Sequence, residues 1–312
     1  MKLHKLSMVA ALLALFAACD DDLQQPVDFS VDIEPSSSLV IDDTLITAPK
    51  GSKINFRFKG DPDFISFSYT RFVPTLPELS FSTRAAWGTS VANSLNVFVS
   101  DEFNGLLLND FSKDSVNIAT HAWKDITADA NLPSATNKVQ AASIALGRYR
   151  GKDLVVAFRY KPTVATDWQP TWVISDLQLT NRLVSDNSVE STYLAATFGF
   201  TPFDMNNRAA AYRDTLLAGV WSTRKPTELT INRTSSNNAL NHDWLISRAV
   251  RIPMGMTETS AVTGVKHMAV SVESYVHTFN QPGDYVLKFK AINRNYLHND
   301  SVVKTIRLTV TN

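Results

Sequence analysis

The sequence predicts an all-β protein built from antiparallel sandwiches. Three observations carry that reading. Short runs rich in Val, Ile, Thr, Phe and Tyr alternate apolar and polar side chains with period two. Gly, Pro, Asn and Asp break these runs, and helical periodicity is sparse. Finally, 312 residues suffice for two domains of about 100–200 residues, each with its own core.

Taken in order, the first element is not part of the fold. A basic start (Lys2, His4, Lys5) leads into the apolar stretch Met8–Ala18, then Cys19, then Asp20, Asp21 and Asp22. The apolar stretch is too short to span a bilayer, so residues 1–18 read as a signal peptide to be removed. Leu15–Cys19 resembles a bacterial lipobox, which makes Cys19 the lipid-attachment residue and new N-terminus. Residues 19–28 are polar and read as a lipid-anchored flexible tether. The acidic run after Cys19 resembles the surface-export signal of Bacteroidetes lipoproteins, implying a lipid-anchored, cell-surface position on the outer membrane. In other Gram-negative bacteria an Asp there implies inner-membrane retention, and the sequence leaves both open.

Next come the strands. Phe29–Glu34, Ile54–Lys59 and Phe64–Tyr69 alternate cleanly, with Gly60-Asp61-Pro62-Asp63 as a tight turn between the last two. Leu95–Ser100, Leu154–Tyr160, Tyr285–Ala291 and Thr305–Val310 complete the clearest set. His277–Asn293 with Val302–Val310 resembles the closing strands of a polycystic-kidney-disease-type (PKD) immunoglobulin-like domain. Neither terminal part alone has enough chain for such a sandwich, whereas together they approach its ~100 residues. Residues 29–75 plus 255–312 are therefore expected to form one discontinuous PKD/Ig-like domain.

The inserted segment, 76–254, has its own resemblance. Glu78–Thr83, Ser94–Gly105, Ala122–Thr127, Leu154–Lys161 and Thr171–Leu179 look like successive strands of the choice-of-anchor J jelly roll, a galactose-binding-like sandwich. Asp243–Ile252 resembles the strand that normally opens that jelly roll, yet here it comes last. It belongs either to a rearranged jelly roll or to the seam between domains. Together with Gly60–Phe67, Gly264–His267 and the Pro282-Gly283-Asp284-Tyr285 turn, these segments resemble the Bacteroidetes domain-of-unknown-function family 5017. Ser68-Tyr69-Thr70 departs from its pattern, and 181–240 resembles nothing nameable. The resemblance implies a lipoprotein accessory to a SusC/SusD-type nutrient-uptake system, with glycan capture as its role.

Sugar-binding surfaces need exposed aromatic planes for the apolar pyranose face, flanked by polar groups that read hydroxyls. Trp123, Trp172 and Trp244 sit inside alternating strands and read as core. Trp87, Trp168 and Trp221 flank or occupy small-residue and polar loops and are the candidate glycan-binding residues. Asp101, Glu102, Asn104 and Asp110 supply oxygens around one turn, the hard-ligand chemistry of a structural Ca²⁺, but no EF-hand-like spacing constrains them and a solvated hairpin is the favoured reading.

Other chemistries lack their signatures. Thirty Lys+Arg balance thirty Asp+Glu, which argues against a nucleic-acid partner. The six histidines show no metalloprotease spacing, and neither a nucleophile elbow nor a phosphate loop is present. The expectation is a non-catalytic surface lipoprotein that binds an oligo- or polysaccharide. The alternatives are a structural or adhesive protein that contacts other proteins and, ranked last, a glycoside hydrolase with an unrecognised carboxylate pair.

Overall fold

The structure is a computed structural model describing residues 26–42, 45–89, 91–162, 168–225, 227–233, 241–294 and 299–312. The signal peptide 1–18, Cys19 and most of the 19–28 tether lie outside the described residues. The protein is all-β, and no helix among the described residues is long and apolar enough to cross a membrane. The chain divides into two compact units, one running to Val73 and resuming from Thr257 to Asn312, the other from Pro74 to Met256. The sequence reading places these breaks at 75/76 and 254/255.

In the first unit, Ser30–Ile33, Ser52–Lys59 and Ser274–Phe279 make a three-stranded antiparallel sheet with Ser52–Lys59 at its centre. The opposing sheet joins the first half of Phe64–Ala86 to Gly283–Arg294, Asn299–Thr311, Leu45–Pro49 and Val40–Asp42. Asn299–Thr311 pairs with Leu45–Pro49 in parallel, the one parallel contact in this ladder. Alternation decides the core: Ile54, Phe56 and Phe58 point inward while Lys53, Arg57 and Lys59 stay exposed. Phe289 is the hub of the aromatic packing, with ring centroids 4.9 Å from Phe56, 4.9 Å from Phe67 and 5.6 Å from Phe58. Two cations are buried among the described residues of this unit, Lys266, which pairs with Asp61 (3.1 Å) and donates to Pro62 O, and Arg71. Buried Arg71 gives its Nε and Nη2 to Glu258 (3.0 and 2.7 Å) and its Nη1 to Gln281 (2.7 Å), so it is both paired and hydrogen-bonded, as burial demands.

The second unit has two sheets. One runs Trp221–Lys225, Glu228–Ile231, Thr171–Leu183 and the second half of Phe64–Ala86, flanked by Val139–Ala145 and Val189–Leu194. The other orders Thr201–Asp204, Asp243–Ile246, Asp153–Tyr160, Leu95–Ser100 and Lys124–Asp125. Asp243–Ile246 thus lies inside the second unit, between Thr201–Asp204 and Asp153–Tyr160. Between the sheets pack Leu95, Val97, Val99, Val156, Phe158, Tyr160 and Leu245. The alternate residues Phe98, Val155, Ala157, Trp244 and Ile246 face a separate core on the outer side. The Phe111–Thr120 helix covers that side through Ile118, with Phe111 stacked on Phe203 at 5.3 Å.

Truncating the aromatic hub of the first unit leaves a void that two sheets cannot close. Phe289→Ala is expected to cost about 3–5 kcal/mol, read from chemical denaturation monitored by fluorescence. A loss below about 1 kcal/mol would show that the hub is not the anchor of this core.

Candidate functional site

One end of the second unit gathers two of the three candidate tryptophans. Strand Phe64–Ala86 ends at Ala86 opposite Thr171, and each chain carries its tryptophan just beyond that pair. Trp87 is 66% exposed and Trp168 53%. Trp87 holds a left-handed backbone (φ 61°), a strained conformation for an aromatic residue that costs of order 1–3 kcal/mol. Two bonds hold this turn: Thr89 N–H donates to Trp168 O (2.9 Å), and Thr136 Oγ1 donates to Gly88 O (2.9 Å). Gly88 is required here, since its φ is +73° and a Cβ would stand 2.6 Å from the carbonyl of Gln169.

Between the indoles lies Arg233. Its backbone N–H donates to Thr171 Oγ1 (3.0 Å), and its guanidinium carbon sits 4.5 Å from the Trp168 ring centroid and 5.9 Å from that of Trp87. Both separations are within cation–π range. Under this surface, fully buried Gln169 accepts from the Tyr160 hydroxyl (3.1 Å) and from Asn241 Nδ2 (2.6 Å). Burial, with Asp243 nearby, holds the Tyr160 hydroxyl well above the ordinary phenol range, so it stays a donor. The sequence pointed to Trp87 and Trp168 but not to Arg233, which carries no motif.

Trp221 is elsewhere. It is 1% exposed, pairs with Ile231 at the start of its strand, and donates its indole N–H to Asp243 O (3.3 Å). The small residues before it end a loop, but the tryptophan itself is the first inward position of a strand, so its ring offers no face to a ligand. Among the tryptophans expected in the core, Trp172 and Trp244 are buried, and Trp123 is half-buried against Trp244 (5.5 Å) and Phe103 (4.7 Å).

The acidic turn follows Leu95–Ser100, in the other sheet of this unit. Asp101, Glu102 and Asn104 line a cavity of about 580 Å³ with Phe103, Ile246 and Arg248. Asp101 is ion-paired with Lys152, which holds its carboxyl below the usual range. Asp110 instead caps the Phe111–Thr120 helix, accepting from Lys113 N (3.1 Å) and pairing with Lys113 Nζ (3.2 Å), and these contacts lower its pKa. Asp114, fully buried, shapes the turn by accepting from Leu107 N (2.7 Å), Leu108 N (3.0 Å) and Tyr212 OH (2.6 Å). Asp101 and Asp110 are thus engaged by lysines rather than turned to a shared cation. Among the described residues no group of three or more His, Cys, Asp or Glu could hold a metal ion.

The model of the family described as "Domain of unknown function (DUF5017)" matches residues 18–199, more than half of the chain. The chain belongs to the DUF5017 family. No curated protein matches it. Trp87 and Trp168 fall within the matched part of this DUF5017 chain, whereas Arg233 lies beyond it.

One further group bears on chemistry. Asp243 is 2% exposed, and neither of its carboxylate oxygens has a hydrogen-bond partner. Burial, then the neighbouring charge of Asp204, pushes its pKa up to about 9. Asp204 sits opposite it across the strand pair, accepts from Asn206 N (2.8 Å) and Asn207 N (2.9 Å), and is itself raised by burial. Two adjacent carboxyls, one of them protonated, invite comparison with a glycosidase pair. A general acid must however come within hydrogen-bond reach of the glycosidic oxygen, and Asp243 is sealed in the interior.

Its protonation has a thermodynamic consequence in the DUF5017 chain. In the unfolded chain Asp243 titrates near 3.8, in the folded chain near 9, so folding takes up a proton between those values. Stability from this group is complete below about pH 4 and declines as pH rises toward 9. Asp243→Asn is expected to melt near wild type at pH 4 and progressively above it toward pH 8, the gap growing by up to about 1.4 kcal/mol per pH unit. A pH-independent gap in scanning calorimetry would refute the buried acid.

Proposed function

We propose that this protein is a surface-anchored, non-catalytic lipoprotein that binds glycan and serves a SusC/SusD-type uptake system. The observation that carries the reading is the Trp87–Arg233–Trp168 cluster, two exposed indoles with a guanidinium between them. Large aromatic planes held open to water at a strained turn lose hydration favourably when the C–H face of a pyranose covers them, and the adjacent N–H donors read hydroxyls. The cluster stands on the unit that reads as a jelly roll, while the unit split around it reads as the PKD-like platform. The lipobox at Cys19 supplies the anchor and the Asp20–Asp22 run the surface address. Several weak contacts along one polymer then add as avidity near the importer.

A second reading, an adhesive protein, has one observation in its favour. The Val40–Asp42 strand ends its sheet, and Val40, Ile41 and Leu45 are exposed there, the kind of unpaired edge that takes a strand from another chain.

Affinity electrophoresis of the full chain in detergent, through gels containing plant, fungal or host polysaccharides, separates the two. Retardation by at least one polymer is expected, with Trp87→Ala and Trp168→Ala each weakening it about tenfold or more. Trp221→Ala is expected to lower the melting temperature instead. Migration unchanged by every polymer would move the assignment to the adhesive reading.

A further inference from the structure

We infer that the glycan bound at this site carries a carboxylate, as a uronic acid does, and that Arg233 is the residue that recognises it. The inference rests on the glycan reading and adds the chemical class of the ligand.

It starts from how Arg233 is held. Its backbone is pinned by Thr171 Oγ1, and the guanidinium carbon lies 4.5 Å from the centre of the Trp168 ring. The looser separation to Trp87, 5.9 Å, leaves that more exposed indole with a face for a sugar ring. Trp168 therefore acts as a positioning residue that supports the guanidinium, and Trp87 as the stacking residue.

Packing against indoles uses a guanidinium's faces and leaves its N–H edge for hydrogen bonds. Among the described residues Arg233 has no carboxylate partner: the ion pairs there join acids to Arg57, Lys59, Arg71, Lys113, Lys152, Lys225, Arg251 and Lys266. A planar fork of donors whose charge is unanswered matches a carboxylate in two parallel bonds, a geometry that a lone hydroxyl cannot complete. An indole beneath the fork strengthens the match, since it keeps the guanidinium orientated and partly desolvated before the ligand arrives.

Generic polyanion attraction does not account for such a preference. The chain carries thirty basic and thirty acidic residues, so no overall field draws acidic polymers to it. Selectivity for an acidic sugar is assigned to this one side chain, so its expected salt dependence is that of a single ion pair.

The test compares polygalacturonate, alginate and hyaluronan with their carboxyl-reduced, neutral counterparts, using the full chain in detergent by affinity electrophoresis. Wild type is expected to bind at least one polyuronate about tenfold or more tightly than the reduced form. Arg233→Gln is expected to abolish that difference, and Arg233→Lys, which keeps the charge but loses the fork, to restore only part of it. Trp87→Ala is expected to weaken binding of both forms. Equal binding of parent and reduced polymers, or wild-type affinity in Arg233→Gln, would overturn the inference while leaving glycan binding intact if Trp87→Ala still weakens it. Binding of neutral polysaccharides alone would do the same. Failure to bind any polymer, acidic or neutral, would remove the glycan reading and this inference together.

Discussion

The central sheet of the 74–256 unit is dry on both faces, and much of that unit follows from this constraint. Leu154 to Phe158 are all buried, with odd and even residues sent to different cores. A sheet covered on one side tolerates polar residues at every second position, but here the outer positions Phe98, Val155, Ala157, Trp244 and Ile246 are apolar, with half-buried Arg159 laid over the Phe98 and Trp244 rings. Its outer face therefore needs a cover, which the Phe111–Thr120 helix and the Phe203–Tyr212 stretch provide. The cover is fastened by buried Asp114, whose oxygens collect two backbone N–H groups and the Tyr212 hydroxyl. Burying that charge is tolerable because three donors answer it.

With both faces occupied, the strand ends are the open part of this sheet among the described residues. Asp153–Tyr160, Leu95–Ser100 and Asp243–Ile246 run antiparallel, so Tyr160, Leu95 and Asp243 mark one end and Ala157, Phe98 and Ile246 lie toward the other. At the first end Tyr160 donates to Gln169, the neighbour of Trp168 in the facing sheet, and the cavity beside Glu102 and Arg248 opens at the second. At about 3.3 Å per residue the eight-residue central strand separates them by roughly 25 Å.

How much of this could be read from the chain depends on the length of the pattern. Ile54–Lys59 and Tyr285–Ala291 alternate long enough for their inward residues to be named in advance, and they became core. The Gly60–Asp63 turn was legible because its residue types each have a local role. Segment 181–240 is not legible, for a physical reason: three of its strands, Thr201–Asp204, Trp221–Lys225 and Glu228–Ile231, have four or five residues, too few for a period, the Trp221–Lys225 pairing slips between Ser222 and Lys225, and the longer Val189–Leu194 buries none of its residues. Trp221 was read as a loop residue because the glycine before it outweighed so short a strand. The acidic turn is legible as a group of carboxylates but not in its pairings, since Lys152 and the helix cap that engage Asp101 and Asp110 are set by the fold. Arg233 gave no signal at all, because its role comes from two indoles distant in the chain.

The interior beneath the tryptophan pair explains why that pair can stay open to water. Exposed indoles on a soft surface would fold down onto the nearest apolar patch. Here Gln169, fixed by Tyr160 and Asn241, gives the Trp168 backbone a rigid base, and the Gly88 turn abuts the Gln169 carbonyl so closely that neither chain can sink. The same region tolerates Asp243 with no partner for either oxygen, which is affordable only while the group keeps its proton. Strained Trp87 and the unpartnered Asp243 both lower stability without helping the fold. Such costs are carried only where the surrounding packing over-determines the local conformation, as the Gly88 turn and the Gln169 contacts do here.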